Sequence, residues 1–271
     1  MGSNSHADDQ GANGVLLPGT TIPGQHSPEL PAKSSITPPH SFPGPTIDGR
    51  QTTTTLYEPA QLAQSPVIPT LYLLINKAFK HSHNSLGIPF QGERLQTESE
   101  YLKQVGADSG TFVYITSWAD SGEPVATASA HRYCGEEVMA VVEGGGERST
   151  FYRVRMPKGA GGRGEEVWEL KLMAVEVGFG GKGLAGHLMG LVDREVLQRV
   201  GEMGGERKVW MVITTVTEAN GEFYRKRGYV EDYETVHGPG FMGTPKGFRV
   251  VHMSKVLSGC LPPYQTPSLA Q

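Results

Sequence analysis

Residues 175–185 read Val175-Glu-Val-Gly-Phe-Gly-Gly-Lys-Gly-Leu-Ala185, which sets glycines and a lysine between an apolar, strand-like run (residues 167–177) and a helix-like run (residues 184–200). The first turn of a helix has N–H groups with no partner in the helix, and its aligned peptide dipoles place about half a positive elementary charge there. Both favour a bound phosphate. Glycines remove the Cβ atoms that would hold the phosphate away. The stretch therefore reads as an anion site, and the first functional question is which phosphorylated ligand it takes.

Gly178-Phe-Gly-Gly-Lys-Gly183 matches the dinucleotide pattern G-x-G-x-x-G between a strand and a helix. In a dinucleotide-binding domain, however, such a loop follows the first strand of several strand–helix units, and here only one such unit and a short remainder follow. An acidic partner for a ribose is also poorly placed, because Glu202 and Glu206 precede the next strand and Glu218 lies well beyond it. A mononucleotide P-loop fits less well. Glu176 takes the place of its first glycine, and Gly183 stands where Ser or Thr must bind magnesium.

The elements that position this loop can be read from periodicity. Residues 66–79 carry prolines near the start and apolar side chains at Leu71, Leu74, Ile75, Ala78 and Phe79, which predicts a helix. Thr97-Glu-Ser-Glu100 is a capping box that opens a second helix, ended by Gly106. Residues 111–118 and 124–130, separated by Asp120-Ser-Gly-Glu123, predict a hairpin. The polar, glycine-heavy residues 144–166 predict an insertion or loop with a short strand at 150–155. After the strand at 167–177 and the glycine loop, Leu184, Leu188, Leu191, Val192, Val196 and Val200 fall on one helical face. Residues 209–216 are apolar with little alternation, as in a strand covered on both faces. A short helix at 221–227 and strands at 229–235 and 248–255 complete the domain.

Composition narrows the rest. A net charge of −4 over 271 residues gives no general attraction to nucleic acid or to an anionic membrane. Cys134 and Cys260 are too few for a paired-ligand zinc site or a disulfide framework, so no metal and a reducing compartment are expected. No run approaches the ~20 apolar residues of a membrane helix, and no basic segment leads into a signal-like apolar core. The expected location is cytoplasmic, with the nucleus also open. The first fifty residues hold one aromatic, Phe42, among many Pro, Gly, Ser and Thr. They are read as a disordered tail, because they cannot bury enough apolar surface to offset the entropy of ordering. The expected organisation is a tail over 1–50, one folded domain over 51–258 and a second tail over 259–271. Nothing in the sequence speaks to oligomeric state.

On two motifs the chain resembles the GNAT superfamily of acyl-CoA-dependent N-acyltransferases. Gly180-Gly-Lys-Gly-Leu-Ala185 occupies that family's Arg/Gln-x-x-Gly-x-Gly/Ala, with Gly180 at the usual Arg or Gln. Asn220-Gly-Glu-Phe-Tyr-Arg-Lys-Arg-Gly-Tyr229 is similar to its Phe-Tyr-x-x-x-Gly-Phe/Tyr ending. The helix ending in Asn76-Lys-Ala-Phe79 and the strand Val251-His-Met-Ser-Lys255 look like its first and last elements. The resemblance spans residues 52–256.

It implies an α/β (α+β) fold in which a central mixed sheet with splayed parallel strands, here 167–177 and 209–216, is flanked by helices. It also implies acetyl-CoA as cosubstrate, its pantetheine paired with the main chain of Met173, Ala174 and Val175. The pyrophosphate would rest on N–H groups of Gly180, Gly181, Lys182, Gly183, Leu184 and Ala185. The Lys182 side chain either adds charge there or is simply solvated. Asn220 either bonds the cofactor or caps the short helix. Glu169 stands where several family members carry a general base, and strand alternation puts it on the face of Lys171, Met173 and Val175; Glu176 is a lesser candidate. Tyr224 matches the tyrosine that protonates the leaving thiolate, and the N–H of Met173 or Val175 would serve the thioester oxygen. His187 and His252 read as structural histidines. Arg225-Lys226-Arg227 reads as a solvated helix face, with a place near the CoA 3′-phosphate left open. Residues 237–243 join the last two strands, where relatives build part of the acceptor site. The implied activity is direct acetyl transfer to a primary amine of a small molecule or peptide. A CoA-binding or interaction module without chemistry is the alternative, ahead of a dinucleotide-binding protein.

Overall fold

The computed structural model describes residues 37–89, 92–106, 110–133, 138–142, 148–153, 156–162 and 164–257. The tail expected over 259–271, and all of the N-terminal tail before residue 37, lie outside these residues. The boundary expected at residue 50 moves, because β1 (His40–Pro43) pairs antiparallel with β2 (Thr52–Tyr57) and Ile47 bridges to Arg50. Low aromatic content concealed this. Edge pairing needs only backbone groups, and Ile47 supplies a single deeply buried anchor, 2% exposed. The threonine run of β2 is a further strand that periodicity did not expose, although β-branched residues suit a pleated surface.

Next come α1 (Pro59–Ala63), α2 (Ile68–Ser85) and α3 (Glu98–Val105). Thr97 caps α3 by accepting from the Glu100 amide at 3.0 Å, as its sequence requires. The predicted hairpin is β3 (Phe112–Trp118) and β4 (Pro124–Arg132), paired antiparallel. β5 (Val138–Val142), which precedes the glycine-heavy segment, and β6 (Arg148–Arg153), which begins within it, form a separate antiparallel pair. Then follow β7 (Glu165–Val175), α4 (Leu184–Glu202), β8 (Lys208–Val216), a π-helical turn (Thr217–Gly221), α5 (Glu222–Arg225), β9 (Val230–His237) and β10 (Phe248–Leu257).

Among the described residues eight strands form one mixed sheet in the order β1-β2-β3-β4-β7-β8-β10-β9. Its parallel pair is β7 and β8, and the α4 crossover between them is what parallel neighbours require. One face packs on α4, whose Leu184, Leu188, Val192, Val196 and Val200 meet Trp168, Leu170, Met211 and Ile213. The other face carries α1, α2 and α3 through Leu62, Leu71, Ile75 and Tyr101. This open mixed sheet flanked by helices is the fold class expected. It excludes the doubly wound parallel sheet of a dinucleotide-binding domain among the described residues.

The parallel pair does not stay zipped. β7 and β8 are in register from Glu165↔Lys208 to Glu169↔Val212, after which residues 170–175 and 213–216 run on without pairing to each other. On its other side β7 stays bonded to β4, but Ser129↔Lys171 is followed by Thr127↔Ala174. Ala128 thus faces both Leu172 and Met173, and Leu172 takes a left-handed φ of 48°. Such a bulge bends its strand and sharpens its twist, which fits the departure of β7 from β8 just there.

Candidate functional site

The gap between the parted strands opens into a cavity of about 360 Å³. Its walls are Met173, Ala174 and Val175 of β7 and Thr214, Thr215 and Val216 of β8. Ala78, Phe79, Ser82 and His83 of α2 close one side, and Asn220, Phe223 and Tyr224 close another. Glu176, Gly178, Gly180 and Ala185 form the rim towards α4.

The rim carries the glycine-lined helix start read from its sequence. Gly183 is the N-cap of α4, with φ 85° and no side chain to cap it. The first amide of α4 to bond back is that of His187, which donates to the Gly183 carbonyl at 2.9 Å. The amides of Leu184, Ala185 and Gly186 therefore precede the helical ladder. Within the preceding turn, Phe179 and Lys182 donate to the carbonyls of Glu176 and Phe179. Among the described residues, a Cβ built on Gly178, Gly180, Gly181 or Gly183 would meet nothing within 4 Å, so the loop borders open space there. Gly181 and Gly183 have positive φ, and Gly180 does not. Arg or Gln at position 180 is therefore not excluded by the backbone.

Of the coenzyme residues expected, Met173, Ala174, Val175, Gly180, Ala185 and Asn220 all line the cavity. Asn220 donates from Nδ2 to Thr215 Oγ1 at 3.3 Å, which ties the π-helical turn to β8. Leu184 is 1% exposed and packs in the core, so it can contribute only its amide. The Lys182 ammonium meets Asp48 Oδ1 at 2.8 Å. Asp48 lies within the span read as tail, so the sequence offered no reason to place it at this loop.

Tyr224 is brought to the site. It lines the cavity, is 7% exposed and stands edge-on to Phe223 and Tyr229 at 5.2 and 5.4 Å between centroids. Burial pushes its phenol well above the ordinary value, against a smaller lowering by the Arg227 charge. At neutral pH it is a protonated donor.

Glu169 is placed differently from expectation. The bulge at Leu172 shifts the alternation by one residue. Trp168 and Leu170 therefore share the α4 face with Met173 and Val175, while Ala174 and Leu172 pack on the opposite face. Glu169 belongs with that opposite face. There its Oε2 meets His131 Nε2 at 2.9 Å and Lys171 Nζ at 3.4 Å. It is 5% exposed, at the apex of the split, and is not part of the cavity wall. His131 went unremarked because its pairing depends on the β4–β7 register.

Glu176, the other carboxylate weighed, is at the rim and paired with Lys77 of α2. His252 bonds Thr214 through Nδ1 at 3.0 Å, whereas His187 Nε2 is buried without a hydrogen-bond partner among the described residues. At the end of β9, His237 stacks on Phe241 of the connection to β10 at 4.0 Å, beside Phe248 and outside the cavity wall. Among the described residues no group of three or more His, Cys, Asp or Glu is placed to hold a metal ion, and no helix is long and apolar enough to cross a membrane.

No protein-family model and no curated protein matches the chain. Solved structures similar to it include an acetyltransferase of the GNAT family from Streptococcus pneumoniae, 14% identical, with 76% of this chain and 99% of that one covered at a TM-score of 0.45. The ribosomal-protein-S18-alanine N-acetyltransferase from Escherichia coli is 14% identical, with 78% and 97% covered at 0.45. An aminoglycoside 6'-N-acetyltransferase complexed with coenzyme A is 14% identical, with 76% and 99% covered at 0.42.

Proposed function

We propose that this protein is an acetyl-CoA-dependent N-acetyltransferase that passes the acetyl group directly to a primary amine of a small molecule or peptide. One observation carries the reading. Two parallel strands part after Glu169↔Val212, and the resulting cavity runs to an uncapped, glycine-lined helix N-terminus. A long thiol arm with a diphosphate at its far end suits both features. The open space beside the loop glycines and the free first-turn amides fit that diphosphate.

In this reading the main chain of Met173, Ala174 and Val175 orients the pantetheine, while amides from Gly180 to Ala185, apart from that of Lys182, which donates to the Phe179 carbonyl, hold the pyrophosphate. Recognition by backbone groups tolerates the glycine at position 180. The amine nitrogen forms the new C–N bond as the C–S bond breaks. The N–H of Met173 or Val175 stabilises negative charge developing on the thioester oxygen. Tyr224, kept protonated by burial, gives its proton to the departing thiolate. Glu169 accepts the amine proton through water, since it stands off the cavity wall. The unit that carries this chemistry extends from the β1 strand to the end of β10.

The test is thiol release from acetyl-CoA over a panel of amines, with coenzyme binding measured in parallel. Tyr224→Phe should lower kcat by about 100-fold, within the range of general acid catalysis, and leave CoA affinity unchanged. If the wild type binds CoA but no acceptor yields thiol above background, the enzymatic reading falls and the chain is a binding module.

A further inference from the structure

We infer that Arg227 is the side-chain cation that contacts a phosphoryl group of the coenzyme, a role that the sequence offers to Lys182 as one of two alternatives. This rests on the coenzyme reading above. The Lys182 ammonium is committed to the Asp48 carboxylate at 2.8 Å. Among the described residues, the ion pairs of the neighbouring basic run belong to Arg225 and Lys226, which meet Glu222 and, for Arg225, Glu231. Arg227 meets no carboxylate there. Its guanidinium carbon stands 3.6 Å from the centroid of Phe223, a ring of the cavity wall. Its Nη1 donates to the Phe223 carbonyl at 2.9 Å. These two contacts fix the head group.

What they aim it at is the first turn of α4. A Cβ built on Gly186 would come 3.3 Å from Arg227 Nη2, so the guanidinium is parked against the turn whose amides precede the helical ladder. Its charge is felt inside the site, where it lowers the Tyr224 phenol against the larger effect of burial. A planar guanidinium beside unpaired amides matches phosphate oxygens in geometry and sign. It replaces the side-chain contact missing at Gly180. The coenzyme carries two such groups, the diphosphate and the ribose 3′-phosphate.

Calorimetry on the full chain with CoA, dephospho-CoA and pantetheine tests this. Arg227→Gln should weaken CoA about tenfold, the loss of one charge-assisted contact, and leave pantetheine unchanged. Lys182→Gln should cost less than about threefold, because its partner is an exposed carboxylate. If the tenfold loss persists with dephospho-CoA, the contact is to the diphosphate; if it vanishes, the contact is to the 3′-phosphate. Arg227→Gln binding CoA as wild type does, or weakening pantetheine equally, overturns the inference and leaves the coenzyme reading intact. A wild type that binds no CoA overturns both.

Discussion

The glycine loop permits a substitution series whose outcome is fixed by backbone angles alone. Among the described residues Gly180, Gly181 and Gly183 each border open space, so an added methyl group clashes with none of these residues. They differ in φ, which is 78° at Gly181 and 85° at Gly183 but not positive at Gly180. Alanine in the left-handed region costs about 1–2 kcal/mol. Where glycine already has an ordinary conformation, alanine stabilises by about 0.4–1 kcal/mol through the unfolded chain. Gly180→Ala and Gly183→Ala should therefore differ by roughly 1.5–3 kcal/mol, or about 3–12 °C in melting temperature for a domain of this size. Chemical denaturation of both variants, each with and without CoA, measures this. Gly183→Ala should also bind CoA more weakly, because relief of its strain would rotate the cap and the first-turn amides. Equal stability of the two variants, or a Gly180→Ala as damaged as Gly183→Ala, would refute the account of the loop.

Other perturbations probe the remaining parts. Asp48→Asn keeps a residue that tolerates positive φ, frees Lys182 and should tighten CoA about threefold, a gain that disappears at high salt; unchanged affinity in calorimetry would mean that the ion pair lies out of reach of the phosphates. Ile47→Ala should destabilise by about 2–4 kcal/mol in urea unfolding, as expected for a fully buried side chain in the main core; a loss below 0.5 kcal/mol would return this segment to the tail (about the level of an exposed surface change). Glu169→Gln should slow acetyl transfer and also lower the unfolding midpoint, because His131 and Lys171 lose their shared carboxylate; slower transfer at unaltered stability would count against the pairing. Tyr101, Tyr114, Tyr224 and Tyr229 all have phenols raised above the ordinary 10.0 by burial. In the unfolded chain they ionise near pH 10 and in the fold they do not, so their stability contribution is intact below pH 10 and declines as pH rises towards the folded values. Four of the ten tyrosines should then give phenolate absorbance only together with the loss of tertiary signal, and ionisation of all ten without unfolding would contradict their burial.

Local chemistry in the sequence was enough for the parts whose signals are local. The six apolar positions of α4, the Thr97 cap, the β3–β4 hairpin and the glycine turn all follow from spacing within one element, and they appear where spacing puts them. Tyr224 and Asn220 could be named through the resemblance of one short stretch to a family motif, and both line the cavity. What the tertiary structure decided are relations between distant segments. A bulge at Leu172 depends on how β4 registers against β7, and its one-residue shift sends Glu169 to the face opposite Met173. The Lys182–Asp48 and Glu169–His131 pairs join residues far apart in sequence. Strands β1 and β2 are held by backbone pairing, to which composition is nearly blind. Periodicity reports which face a residue would take in an unbroken strand; only the assembled sheet sets where the strand breaks and which charges then meet.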